Sequence, residues 1–328
     1  MTPSRSPRRA RILGAVTLAA VAALTLASCS SAAKSGHGSA VITGANGSTS
    51  APGSTSASTS ASASPAAAPV HVRLTNSDGT TVGIGMPVIA YFSKKITSAK
   101  ALQQATTMTV NGAPATGAWY FETSAAFKGY PIEGHFRPQK FWPAHATIHI
   151  GMPIKGLSAG EGLAYDDSLT LDFSTGSADI AVVDDVSHTL HLTIDGQDKG
   201  TYPVSLGASN TRTRSGIKVI MEKGRVTRMS GPGYDECCVK YTQRLTYDGE
   251  YLHSAPWNVS NIEHGVDSSN GCTNLLPSDA IKLYGLLTIG DVVEYPNANG
   301  GKMQLGQGYG DWNVPWPLWL TGGLVSTS

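Results

Sequence analysis

The sequence predicts a mainly β protein: a β-sandwich, then a second β-rich unit with one short helix, and a tryptophan-rich C-terminal tail. Three observations carry this. From Pro69 onward, short runs rich in Val, Ile, Thr, Tyr and Phe recur between Gly, Pro, Asn and Asp turns, without helical periodicity. The dipeptides Asn111-Gly112, Asp195-Gly196 and Asp248-Gly249 are hairpin turn signals. In the second unit, a helix is suggested for Ser278 to Leu287, where Pro277 suits a first helical turn.

The chain is long enough, at 328 residues with 41% apolar side chains, for two domains plus tails. Its formal net charge of +1 argues against a nucleic-acid partner. Four of the basic residues (Arg5, Arg8, Arg9, Arg11) fall in residues 1–28, which read as a secretory signal peptide. They precede the apolar run Ile12 to Leu26, and Leu26-Ala27-Ser28-Cys29 has the form of a lipobox, in which the Cys29 thiol is lipidated. Residues 29–68 are then a lipidated cysteine and a flexible linker. Of the 39 residues from Ser30 to Ala68, 34 are Ser, Ala, Thr, Gly or Pro, too few apolar groups to offset ordering entropy. A chain of that kind has an r.m.s. span of roughly 35 Å.

Residues 69–174 carry strand-like runs at 71–74, 87–92, 107–110, 119–121, 146–150 and 168–173, spaced as in a β-sandwich. His135, His145 and His149 lie here without a Cys or acidic partner at ligand spacing, so no metal site is expected. Residues 175–300 form the second unit. Thr189 to Ile194 alternates, Asp195-Gly196 turns, and Tyr202 to Leu206 returns. Gly207 to Lys240 is polar, Gly-rich and unpatterned, the mark of a lid or mobile loop. A two-residue turn at Asp248-Gly249 would pair Leu245 with Leu252 and set Arg244 opposite His253. A guanidinium there would disfavour the imidazolium. In the helix, Ile281, Tyr284 and Leu287 are spaced for burial. Residues 301–328 hold three of the six tryptophans and are expected to pack on the second unit.

Chemistry concentrates in His253-Ser254-Ala255-Pro256-Trp257 and, nineteen residues after the histidine, Ser269-Asn270-Gly271-Cys272-Thr273-Asn274. A thiol and an imidazole suffice for covalent acyl transfer. Cys272 lies among residues too polar for a core cysteine, and Gly271 permits a tight turn that aims amides at an oxyanion. Papain-like arrangements place the histidine after the cysteine, but no histidine follows Cys272. A sortase needs a downstream arginine, and none follows Arg244. His253 and His264 remain as short-range bases, with His253 favoured.

These two stretches resemble the signature of the YkuD-type L,D-transpeptidases, specifically their actinobacterial lipoprotein branch, from Thr175 to about Trp319. The immunoglobulin-like domain before them is similar more weakly. The resemblance implies that Cys272 is the acylated nucleophile, with His253 as proton acceptor and donor oriented by the carbonyl of Ser254. The amides of Gly271 and Cys272 would form the oxyanion hole. Tyr234 would sit on the lid, Asp248, Gly249 and Asn274 would touch the stem peptide, and Trp257 would wall the pocket. The implied reaction joins peptidoglycan stem peptides by 3→3 crosslinks, needs no cofactor or metal, and is blocked by carbapenems. The enzyme would be tethered through Cys29 to the outer face of the cytoplasmic membrane. An L,D-carboxypeptidase and a silent wall-binding scaffold are the alternatives.

Three departures stand out. Asn270 replaces the histidine usual before the Gly-Cys pair. Ser158 stands where a calcium-binding aspartate would accompany Glu161, so calcium is not expected. Cys237-Cys238 is a vicinal pair outside the signature, open to a strained bridge, free thiols or a mixed disulfide with Cys272.

Overall fold

A computed structural model describes residues 66–231 and 234–328 of the chain. The expected signal segment, Cys29 and most of the linker lie outside the described residues. The described residues belong to one compact unit and contain two β-rich systems and four short α-helices.

The first is a sandwich. One sheet orders Val72–Leu74, Val88–Phe92, Ile132–Arg137 and Ala118–Thr123. The facing sheet orders Thr80–Val82, Leu169–Thr175, Thr147–Met152, Thr107–Val110 and Ala113–Ala115. Period-two alternation explains the pairing of faces. Ile148, Ile150, Leu171 and Phe173 point inward from one sheet to meet Phe92, Trp119, Phe121 and Phe136 from the other. Asn111 and Gly112 turn with φ of +51° and +77°, the two positive values a tight hairpin needs.

Strand Ile132–Arg137 is absent from the sequence reading, and it has both faces buried. Ile132 and Phe136 enter the sandwich core. Glu133, His135 and Arg137 occupy the opposite face, which part of the C-terminal tail covers.

The second system is a nine-stranded sheet. Its order is Gly216–Val219, Val292–Tyr295, Asp179–Asp184, Thr189–Ile194, Gln197–Ser205, Thr273–Leu275, Tyr251–Ser254, Tyr234–Arg244, Glu222–Gly231. The unpatterned stretch expected as a loop is largely the last hairpin, two strands of 10 and 11 residues. Most of its side chains are solvated on both faces, so burial imposed no alternation for the sequence to show. Helix Pro277–Leu286 buries Ala280 and Leu283, followed by Leu287, while Ile281 stays 51% exposed; the stripe is one position away from that expected.

The hairpin before His253 is also shifted. Gln243 pairs with Leu252 and Arg244 with Tyr251. Leu245 N–H donates to Glu250 O at 2.9 Å, which centres the turn on Tyr247-Asp248 and leaves Gly249 at φ +104° after it. Arg244 therefore stands opposite Tyr251 and not opposite His253. Its guanidinium donates to the carbonyls of Thr246 and Tyr247 at 3.0 and 2.7 Å.

The tail does not pack simply on the second unit. Asn313 does bind it, exchanging side-chain hydrogen bonds with both backbone groups of Ile217. The tryptophans go to the sandwich instead. Trp312 Nε1 donates to Gly85 O and Trp319 Nε1 to Ala118 O, each at 2.8 Å. The guanidinium of Arg137 lies 4.7, 5.3 and 4.1 Å from the rings of Trp312, Trp316 and Trp319. A buried cation has few apolar-compatible partners, and aromatic faces are among them. Backbone contact adds a second clasp: Gly83 N–H donates to Ile289 O and Gly85 N–H to Gly290 O. A Cβ at Gly83 would lie 2.2 Å from Asp291, so only glycine allows that approach.

Candidate active site

His253 and Cys272 reach one pocket because their strands are parallel neighbours. Leu252 pairs with Thr273, His253 with Asn274 and Ser254 with Leu275. Cys272 precedes its strand by one residue, and Gly271, at φ +106°, makes the turn into it. His253, Trp257, Asn274, Asn270 and Cys272 line the pocket floor and rim, and Tyr234, Met229, Val239 and Glu236 come from the long hairpin.

The imidazole is held in one tautomer. Its Nδ1 lies 3.0 Å from Ser254 O. A carbonyl only accepts, so Nδ1 carries a proton, and in the neutral ring Nε2 keeps a lone pair. Trp257 stacks on the ring, with centroids 5.9 Å apart and planes 24° apart. Burial pushes the His253 pKa below its ordinary value, against the opposing effect of the Ser254 carbonyl. The residue is a neutral base at neutral pH.

The thiol is equally neutral. Met229 and Val239 of the hairpin pack against Cys272, with Tyr234 and Tyr251 beside them. That burial pushes the thiol up to about 12. The Tyr251 backbone N–H and Lys218 favour the thiolate, while Glu250 opposes it. Sγ donates to Gly249 O at 3.4 Å. Burial thus favours the neutral thiol and the neutral imidazole over the charged pair.

Ser269, quoted in the sequence motif without a role, and Thr213, which the sequence reading missed, fix the turn. Ser269 Oγ donates to Cys272 O at 2.6 Å and accepts from Gly271 N–H at 3.1 Å. Thr213 Oγ1 donates to Gly271 O at 2.9 Å. The Gly271 amide expected in an oxyanion hole is therefore engaged by a side chain here. Asp248 is not in the lining of the Cys272 pocket. Its carboxylate binds Arg214 and lines an adjoining cleft with Arg212 and Gly300, which shares Asn270 with the pocket. Gly249 meets the site through its carbonyl. His264 bonds Ser260 O on the exposed end of a short helix, away from the pocket lining.

A buried charged cluster beside the thiol has no signature in the sequence. Lys218 Nζ donates to Glu250 and lies 3.8 Å from the centroid of the Tyr295 ring. Glu250 Oε1 also accepts from Arg214 N–H at 2.9 Å. The residues come from separate strands and a turn, so no linear spacing joins them.

Cys237 and Cys238 form a disulfide with each other on the exposed hairpin strand, next to Glu236. Cys272 is the free cysteine among the described residues.

Comparison with known proteins agrees with this geometry. Residues 178–294 match the family model for the L,D-transpeptidase catalytic domain, and residues 34–158 match that of a bacterial Ig domain. L,D-transpeptidase 2 of Mycobacterium tuberculosis is 30% identical over 268 residues, 78% of this chain and 64% of that protein. L,D-transpeptidase 5 of the same species is 30% identical over 253 residues, and the chain covers 54% of its length. The chain thus spans less than two thirds of either relative. Among solved structures, LD transpeptidase LdtMt1 in complex with imipenem superposes with a TM-score of 0.56 at 26% identity, covering 70% of this chain and 99% of that one. L,D-transpeptidase 3 from M. tuberculosis, in complex with a faropenem-derived adduct, gives 0.53 at 27% identity, covering 71% and 98%. Residues 178–294 are therefore an L,D-transpeptidase catalytic domain of the YkuD family, joined in this chain to a bacterial Ig domain.

Proposed function

We propose that this chain is a peptidoglycan L,D-transpeptidase in which Cys272 forms a thioester with a tetrapeptide stem. The observation that carries the reading is the pairing, in one pocket of a YkuD domain, of a free thiol with an imidazole whose Nε2 lone pair is unprotonated.

Because both groups rest neutral, proton transfer accompanies attack. Cys272 Sγ bonds to the carbonyl carbon of the third stem residue as His253 Nε2 takes the thiol proton. The tetrahedral intermediate collapses, the C–N bond to the terminal D-alanine breaks, and His253 returns the proton to the leaving amine. An amine from a neighbouring stem then attacks the thioester, loses a proton to His253, and regenerates the thiol, leaving a 3→3 crosslink. Water in place of the amine gives a tripeptide instead. Trp257 and Tyr234 would flank the stem, and Asn274 would offer an amide at the pocket floor. A carbapenem would acylate the same thiol through its β-lactam carbonyl, and the imipenem and faropenem relatives support this. Tethering through lipidated Cys29 on the outer membrane face would place the pocket within reach of the wall.

Incubation with purified disaccharide-tetrapeptides, followed by mass spectrometry, tests the assignment. Dimers lacking one D-alanine are expected. Tripeptide monomers alone would reassign the chain as an L,D-carboxypeptidase, and unchanged substrate would make it a binding scaffold.

A further inference from the structure

The buried polar face of strand Ile132–Arg137 brings Glu133 and His135 together with Glu122 of the adjacent strand and Asp311 of the tail. Glu133 and His135 are fully buried, and Glu122 pairs with Glu133 across the adjacent strand. His135 Nδ1 is 2.8 Å from Asp311 Oδ1, so that nitrogen is satisfied. Its other nitrogen is not. His135 Nε2 lies 3.7 Å from Glu133 Oε1 and 3.9 Å from Glu122 Oε1, beyond hydrogen-bond reach of either. All three atoms are buried without a hydrogen-bond partner. Arg137 does not relieve them, because its terminal nitrogens donate to the carbonyls of Pro138, Asp311 and Val314.

These separations are those of donors sharing a cation. Ligands about 2.1 Å from one metal ion at tetrahedral or wider angles are roughly 3.4–4 Å apart. An imidazole whose far nitrogen binds a carboxylate is also the usual arrangement of a metal-bound histidine. We propose that His135 Nε2, Glu122 and Glu133 bind one divalent first-row metal ion of the zinc or manganese class, with Asp311 orienting the imidazole. The nitrogen donor disfavours calcium and magnesium, which take oxygen ligands. Asp311 belongs to the tail and the three ligands to the sandwich, so the ion would fasten the tail to the Ig domain. This site is separate from the Cys272 pocket and does not depend on the proposed reaction.

The test is calorimetric titration of ZnCl2 into chelator-treated full chain carrying Cys272→Ala, which removes the thiol as a competing ligand. One tight equivalent and a higher Tm with zinc are expected. Glu122→Gln should weaken binding at least tenfold, yet leave the metal-free Tm unchanged or higher, because it removes a buried charge. His188→Ala, in the other group with metal-compatible donors (Asp185, His188, Asp267), should leave binding intact. No zinc-dependent heat, undiminished affinity in Glu122→Gln, or loss in His188→Ala would each overturn the proposal. A metal-free Tm that falls in Glu122→Gln would instead make the cluster an ion-pair network.

Discussion

Lys218 and Glu250 form a buried ion pair directly beside the Cys272 thiol, with opposite effects on it. Lys218 is fully buried and Glu250 nearly so. Burial pushes the Lys218 pKa down, and Glu250 counteracts that. The pair is tolerable because Tyr295 offers its ring face to the ammonium and Arg214 supplies further donors to the carboxylate. The thiol thus experiences a cation that favours thiolate and an anion that resists it.

Removing the cation should show its contribution. Lys218→Met leaves Glu250 buried with Arg214 alone and is expected to destabilise the protein by about 3 kcal/mol. It should also raise the thiol pKa further, and each unit slows iodoacetamide alkylation at fixed pH about tenfold. Thermal melting and alkylation rates check the two effects. Alkylation as fast as in the unmodified protein would show that Lys218 does not act on the thiol.

The acid limb of acylation follows from His253. Its folded-state pKa is lowered by burial, so the imidazole stays a competent base until the pH falls below the ordinary value of about 6.5. Activity lost with a midpoint below that value is expected in a pH profile of imipenem acylation. Arg244→Ala should leave the midpoint in place, since Arg244 pairs with Tyr251 and its guanidinium is held by the carbonyls of Thr246 and Tyr247. A midpoint at or above 6.5 would mean that burial does not govern His253.

Gly271 is tested by its backbone. At φ +106° an added Cβ would meet nothing closer than 3.6 Å, so strain, not collision, sets the penalty. Gly271→Ala is expected to cost about 1–3 kcal/mol. Movement of the turn held by Ser269 and Thr213 should slow acylation more than tenfold. An unchanged acylation rate would show that the turn geometry is not needed.

The tail makes a stability prediction. Trp319 is fully buried, stacks on Tyr120 at 5.0 Å and lies under Arg137. Trp319→Ala should cost about 3–5 kcal/mol in a thermal melt while leaving the alkylation rate of Cys272 in folded protein unchanged. A negligible loss of stability would contradict the sandwich-bound tail.

The sequence made legible whatever one strand or one turn decides by itself. Thr107–Val110 and Thr189–Ile194 fall where the alternation places them, and Asn111-Gly112 and Asp195-Gly196 turn as their dipeptides dictate. What depends on a distant partner was not legible. Ile132–Arg137 carries charges whose covering surface arrives some 175 residues later, with Asp311. The hairpin at Asp248-Gly249 hinged on one residue of register, which the dipeptide leaves open. Lys218 and Glu250 meet only because the nine-stranded sheet folds their segments together. Cys272 and His253 were readable because the two parallel strands that carry them are close in sequence.

Mass spectrometry of the intact protein after incubation with imipenem tests the central claim most directly. A single adduct on the unmodified chain, absent in Cys272→Ala and formed far more slowly in His253→Gln, is the expected result. An adduct that survives Cys272→Ala, or none on the unmodified protein, would contradict the assignment of Cys272 as an activated nucleophile.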